Sequence, residues 1–167
     1  LGDISNRTIG RTPPRKAAEY WTSDPTQRPF CTIADMKSRK IQGGREGVTE
    51  LAEAEGKAKR VPAGSLLLSF KLSLGRVGIT EEDVFTNEAI AWIRPKEEVD
   101  RDFLALALDS LDWSDVGSPA VKGKTLNAES LDALPIPLPP LAEQRLIVDL
   151  VGSLDVAVEA AATNLSS

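Results

Sequence analysis

The sequence predicts an α+β fold: a small twisted β-sheet with flanking helices and long loops, followed by a C-terminal helix of coiled-coil type. Three observations predict it. Apolar runs of strand length cluster mid-chain, at Ser65 to Phe70, Arg76 to Thr80 and Ile90 to Ile93. Phe103, Leu104, Ala107, Leu108 and Leu111 then recur at three- and four-residue steps, the pattern of a helix with one buried face. Finally, Pro135, Pro137, Pro139 and Pro140 impose an extended stretch before a second periodic segment from Leu141 to about Thr163. The corresponding division is a body over residues 1–138 and a proline arm with its helix over residues 139–167.

Residues 7–47 are rich in Arg, Lys, Pro, Gly and Thr, with short apolar pieces such as Phe30 to Ile33, and read as long loops around one or two short strands. Val48 to Lys59 is a charged Ala/Glu/Lys segment of good helix propensity, stopped by the turn signal Pro62-Ala63-Gly64. After the strands, Glu97-Glu98-Val99-Asp100 places carboxylates at the positive end of the helix that follows. Gly117 to Thr125 is a loop carrying Lys122 and Lys124, and Asn127 to Leu134 forms one or two helical turns. Pro139 and Pro140 suit the entrance of the last helix, where no amide donor is missed. Its positions Ile147, Val151, Leu154, Val158 and Ala161 form one apolar stripe. That stripe fits a partner helix, and it also fits packing onto the chain's own body.

The composition, 167 residues with 41% hydrophobic and 27% charged, fits one globular domain with an appendage. No apolar run approaches the roughly 18 residues that span a bilayer, and no signal-peptide pattern opens the chain, so the expected location is cytoplasmic with no membrane partner. The single cysteine, Cys31, excludes an internal disulfide. The chain starts at Leu1 and its only methionine is Met36, which reads as a piece of something longer. Net charge is -5, yet residues 7–60 hold 12 Lys+Arg against 7 Asp+Glu, leaving 8 against 18 elsewhere. Charge is therefore segregated, and a basic face on an acidic body remains open to phosphate.

With no histidine and one cysteine, the chain cannot form a zinc finger, a Cys-His pair or a Ser-His-Asp triad. Cys31, inside Phe30-Cys31-Thr32-Ile33, reads as a buried structural thiol. Gly75-Arg76-Val77-Gly78 lacks the third glycine and the strand-to-helix context of a dinucleotide site. Asp35-Met36-Lys37 has the acid-x-Lys spacing of magnesium-dependent nucleases, but Asp24 before Pro25 makes an unconvincing second ligand. The chemically informative groups that remain are loop cations and hydroxyls, which bond phosphates and base edges. Arg11, Arg15, Lys16, Arg28, Lys37, Arg39, Lys40 and Arg45 fill the first loops, with Tyr20 and Trp21 as loop anchors.

Several segments together resemble a known family. Leu134-Pro-Ile-Pro-Leu-Pro-Pro-Leu-Ala-Glu-Gln-Arg145 followed by an apolar helix is similar to the end of a target recognition domain in the specificity subunit of type I restriction-modification systems. Gly10-Arg11-Thr12-Pro13 with Tyr20-Trp21 looks like its opening, and Thr32 to Lys37 like its next block. Gly64 to Lys71, Gly75 to Val77, Thr86 to Ile90 and Lys122 to Leu126 match the later blocks in order. Two departures stand out: Arg11 replaces a second glycine, and Glu88 stands where glutamine is common.

The resemblance implies a non-catalytic component that reads one half of a bipartite duplex target. Its partners would be double-stranded DNA, methyltransferase subunits, restriction subunits beyond them, and a second recognition domain in the same chain or by dimerisation. No cofactor is expected here; S-adenosylmethionine would sit on the methyltransferase. The expected DNA contacts are Arg11, Thr12, Arg15, Lys37, Arg39, Ser69, Lys71, Ser73, Arg76, Asn87, Lys122 and Lys124, and the expected partner-helix residues are Ile147, Val151, Leu154, Val158 and Ala161. A protein-protein scaffold, or the specificity domain of a methyltransferase fusion docking through its last helix, is the alternative.

Overall fold

Ten short strands and four α-helices make up the computed structural model, which describes residues 1–114, 116 and 126–165. In order they are β1 (Ser5–Ile9), β2 (Trp21–Thr22), β3 (Pro29–Cys31), β4 (Lys40–Ile41), β5 (Glu46–Val48), α1 (Glu50–Ala54), β6 (Arg60–Val61), β7 (Leu66–Ser69), β8 (Val77–Thr80), β9 (Val84–Thr86), β10 (Ile90–Pro95), α2 (Arg101–Asp109), α3 (Ala128–Asp132) and α4 (Leu141–Leu165). The class is α+β, with two sheets where the sequence predicts one. The first runs β1-β10-β7-β8-β4 and the second β2-β5-β3-β9-β6. Pairing is antiparallel except for β3 with β9 and β4 with β8.

The centre of the first sheet explains the sandwich. All four residues of β7 are buried, because side chains alternate between faces and both faces are covered. Leu66 and Leu68 join Phe70, Ile93, Leu104, Leu108, Leu126 and Leu131 in the core under α2. Leu67 points the other way, into a cluster with Cys31, Ile41, Val61, Val84 and Ile90 that sits between the sheets. A third, smaller cluster joins Phe30, Val48, Ala52, Ala58 and Phe85 around α1.

The helices start where their caps place them. Asp100 accepts from the amides of Asp102 and Phe103 at 2.9 and 3.0 Å, Thr49 from Ala52, and Asn127 from Ser130 at 2.7 Å. The expected helix from Val48 to Lys59 is cut to five residues. Gly56 takes φ +65 and turns the chain, so that the amides of Lys57 and Ala58 both close onto the Ala52 carbonyl at 2.8 and 3.1 Å. Segment 7–47, expected to be mostly loop, instead contributes parts of both sheets in strands of two to five residues.

Gln144, in the first turn of α4, is completely buried. Its Oε1 accepts from Asp100 N at 2.8 Å, and its Nε2 donates to the carbonyls of Glu98 and Pro139 at 3.0 and 2.8 Å. This one side chain ties the proline arm, the start of α4 and the start of α2 together. Beyond Val151 the described side chains of α4 are exposed, so the helix leaves the body after its first three turns. Among the described residues no helix is long and apolar enough to cross a membrane.

Candidate nucleic-acid interface

The geometry begins at the turn Ile33–Asp35. Asp35 Oδ2 accepts from both the amide and the hydroxyl of Thr32, at 2.8 and 2.7 Å, closing the turn on itself. Arg76, entering β8, donates from Nη1 to the Ile33 carbonyl at 3.1 Å and holds the same turn from the other side. Asp35 is therefore a structural acceptor, and among the described residues no group of three His, Cys, Asp or Glu is placed to hold a metal. The acid-x-Lys spacing has a local explanation that needs no nuclease chemistry.

That turn projects Lys37, Ser38 and Arg39 onto the β4–β8 edge, where with Arg76, Gly75 and Asp109 they line an open cavity of about 530 Å³. Arg39 Nη2 pairs with Asp109 Oδ2 at 3.0 Å, and both groups are largely exposed. Lys37 has no ion pair among the described residues. It also borders a neighbouring cavity of about 350 Å³ with Phe30, Thr32, Arg45 and Glu46. Gly43 and Gly44 allow this second segment to lie so close: a Cβ on Gly44 would fall 1.9 Å from the Phe30 carbonyl oxygen.

Glu46 continues the surface by pairing with Arg15. The Arg15 guanidinium lies 3.8 Å from the centre of the Trp21 ring, and Trp21 stands edge-on to Phe30 at 5.0 Å. Trp21 Nε1 donates to the Pro14 carbonyl at 3.2 Å and Tyr20 donates to Glu55 at 2.6 Å, which makes the adjacent aromatics loop anchors. Past Arg15 lies Glu88, bonded by the Thr12 hydroxyl. That bond, the residue's own backbone, and the charges of Lys71 and Arg15 hold the Glu88 carboxyl below the usual carboxylate range. The acid departing from the common glutamine is thus an ionised acceptor among cations.

The structure brings Lys37, Arg39 and Arg76 together at one cavity, and Thr12, Arg15 and Lys71 around Glu88. Others do not present themselves as expected. Ser69 is completely buried: its hydroxyl donates to the Ser73 carbonyl and accepts from Arg76 N at 2.9 Å, so it braces the loop from within instead of facing a ligand. Asn87 Oδ1 accepts from Ala89 N at 3.1 Å and shapes a turn. Arg11 reaches away to the Gly56 carbonyl at 2.7 Å, while Gly10 beneath it is required because a Cβ there would fall 2.3 Å from the Asn87 carbonyl oxygen. Ser73 is exposed at the loop tip. Lys122 and Lys124 lie outside the described residues. Of the stripe on α4, Ile147 and Val151 line an apolar groove with Phe103, Leu106, Leu111 and Pro139, whereas Leu154, Val158 and Ala161 are exposed. Arg45, one of the expected loop cations, lines the second cavity, and Glu46 and Asp109, which the sequence does not single out, complete the surface.

Among the described residues a run of cations and hydrogen-bonding groups follows one edge. Comparison with known proteins agrees with that character: the model of the type I restriction modification DNA specificity domain matches residues 1–165. The chain belongs to this family. The specificity subunit of the type I restriction enzyme MjaIX from Methanocaldococcus jannaschii is 28% identical over 165 residues, covering 95% of this chain and 38% of that protein. The EcoBI specificity subunit of Escherichia coli is 31% identical over 153 residues, covering 77% of this chain and 32% of that protein. The relatives are specificity subunits, the non-catalytic components of such systems, and this specificity domain spans well under half of their length.

Solved structures share the fold. The HsdS subunit from Thermoanaerobacter tengcongensis superposes with a TM-score of 0.74 at 22% identity, covering 95% of this chain and 37% of that one. A chain from a study of type I R-M complex assembly and conformational transition gives 0.78 at 22% identity, with 96% and 38% covered.

Proposed function

We propose that this specificity domain reads a short sequence of duplex DNA, one half of a bipartite target, for a type I methyltransferase and endonuclease. One observation supports the reading above the rest: Lys37, Arg39 and Arg76, distant in sequence, line a single open cavity at the β4–β8 edge of an acidic molecule. Arginine suits bidentate contact with guanine or phosphate, and lysine suits phosphate. The contact set continues through Arg45, Arg15, Thr12 and Lys71. On this reading the cofactor S-adenosylmethionine belongs to the methyltransferase subunits, restriction subunits join outside them, and the complex works in the cytoplasm.

The exposed part of α4 favours a docking role beside the DNA role, with its stripe received by the helix of a second recognition domain. A scaffold without DNA reading, or a domain fused to a methyltransferase, would use the same helix. Titration of a randomised duplex pool against salt separates these. The wild-type chain is expected to bind with a steep salt dependence and to enrich one short motif, and Lys37→Ala is expected to lower the log–log slope by about one unit and weaken all sequences alike. Arg76→Ala is expected to relax one base position. Salt-independent or unenriched binding sinks the DNA reading in favour of the scaffold.

A further inference from the structure

Leu72 stands at the tip of the loop joining β7 to β8. It is 79% exposed and holds φ +64, the only non-glycine residue with positive φ among the described residues. A singly exposed leucine is ordinary. A branched side chain in left-handed backbone carries a steric cost that glycine would avoid, and such a residue persists where its surroundings over-determine it.

The loop supplies that constraint. Ser69 N donates to the Arg76 carbonyl at 2.9 Å, Gly75 N to the Ser69 carbonyl at 2.9 Å, and the Ser69 hydroxyl closes the ring between Ser73 and Arg76. Below it, Phe70 N donates to the Ala89 carbonyl and Leu126 N to the Phe70 carbonyl, both at 3.0 Å. Trp113 packs so tightly on Gly75 that a Cβ there would come within 2.3 Å of the ring. The base is fixed, and Leu72 and Ser73 are exposed at the tip. The same loop carries Lys71, whose charge acts on Glu88, and Arg76, which lines the Lys37–Arg39 cavity, so Leu72 belongs to the segment that joins these two groups in the chain.

We propose that Leu72 enters the major groove of the bound duplex and reads the 5-methyl group of a thymine. The inference rests on the DNA-reading function above. The bond from Phe70 N to the Ala89 carbonyl places the base of this loop one residue along the chain from Glu88, whose carboxylate selects the groove. Minor-groove edges offer mostly acceptors in a strongly negative field, which repel a carboxylate, whereas the major groove presents the amino donors of cytosine and adenine beside the thymine methyl. A pinned loop carrying an apolar tip next to an ionised acceptor complements that second surface.

The test enriches a randomised duplex pool separately on the wild-type chain, Leu72→Ala and Leu72→Gly, then titrates the best wild-type duplex with each motif thymine replaced in turn by deoxyuridine. One replacement is expected to weaken wild-type binding about fourfold, the worth of one buried methyl group. Both variants are expected to lose preference at that position alone and to bind the deoxyuridine duplex as well as the thymine duplex. Leu72→Gly is expected to melt no lower than wild type, because glycine adopts positive φ freely, which separates lost readout from lost folding. A wild-type motif kept at every position by both variants, or wild-type binding indifferent to every deoxyuridine, overturns the thymine contact and leaves the DNA reading standing. A wild-type chain that enriches no motif overturns both.

Discussion

Cys31 and Lys37 lie six residues apart on one segment, and their surroundings put them to opposite uses. The Cys31 thiol is completely buried between the sheets, and burial first, then the charge of Asp35, pushes its pKa up to about 12. Iodoacetamide at about pH 8 is therefore expected to leave the folded chain unmodified and to label it fully in concentrated urea, as read by mass spectrometry. The sign of the pH effect follows. Between the ordinary value of 9.0 and about 12 the unfolded state has lost a proton that the folded state keeps, so stability falls as pH rises through that window, measurable as a falling urea midpoint. The inertness of Cys31 was legible in its apolar neighbours, and so was the cationic character of the first loops. The counter-charges were not. Asp109 meets Arg39 across 70 residues and Glu46 meets Arg15 across 31, pairings that no local pattern encodes.

At the scale of elements, legibility follows length. α2 shows about two and a half turns of periodicity and a carboxylate start, and β7, β8 and β10 are long enough to show their apolar runs. In the second sheet β2 and β6 are two residues each and β3, β5 and β9 only three, too short to express any period, so apart from the apolar piece at Phe30 its pairing could not be read. The motif around Gln144 marked the start of α4, but its task required the structure. Replacing Gln144 with alanine leaves Asp100 N and the carbonyls of Glu98 and Pro139 without their side-chain partner at a buried junction. The expected loss is about 1–3 kcal/mol, read from urea unfolding, together with faster amide exchange in the first turn of α4 than elsewhere in the helix. Unchanged exchange there would mean that the groove contacts of Ile147 and Val151 with α2 hold the helix without the glutamine.

The whole molecule has an acidic total charge, and its described residues include a cationic edge and an uncovered stretch of helix. An acidic total opposes nonspecific adhesion to phosphate, so on the proposed DNA reading binding would fall to the local field at Lys37, Arg39 and Arg76. The helix raises a separate question of association. Leu154, Val156 and Val158 are each more than 60% exposed, and Leu154 and Val158 extend the stripe that Ile147 and Val151 begin in the groove. One helix face thus passes without interruption from the domain's own core into solvent. A second copy carrying the same stripe is expected to cover it, so sedimentation velocity on a concentration series is expected to show reversible self-association. Leu154→Glu with Val158→Glu is expected to abolish that association while leaving the melting temperature within a degree or two, since neither side chain touches the packed body. A wild-type chain that stays monomeric throughout the series would show that the stripe is not self-complementary and that its covering helix has a different sequence.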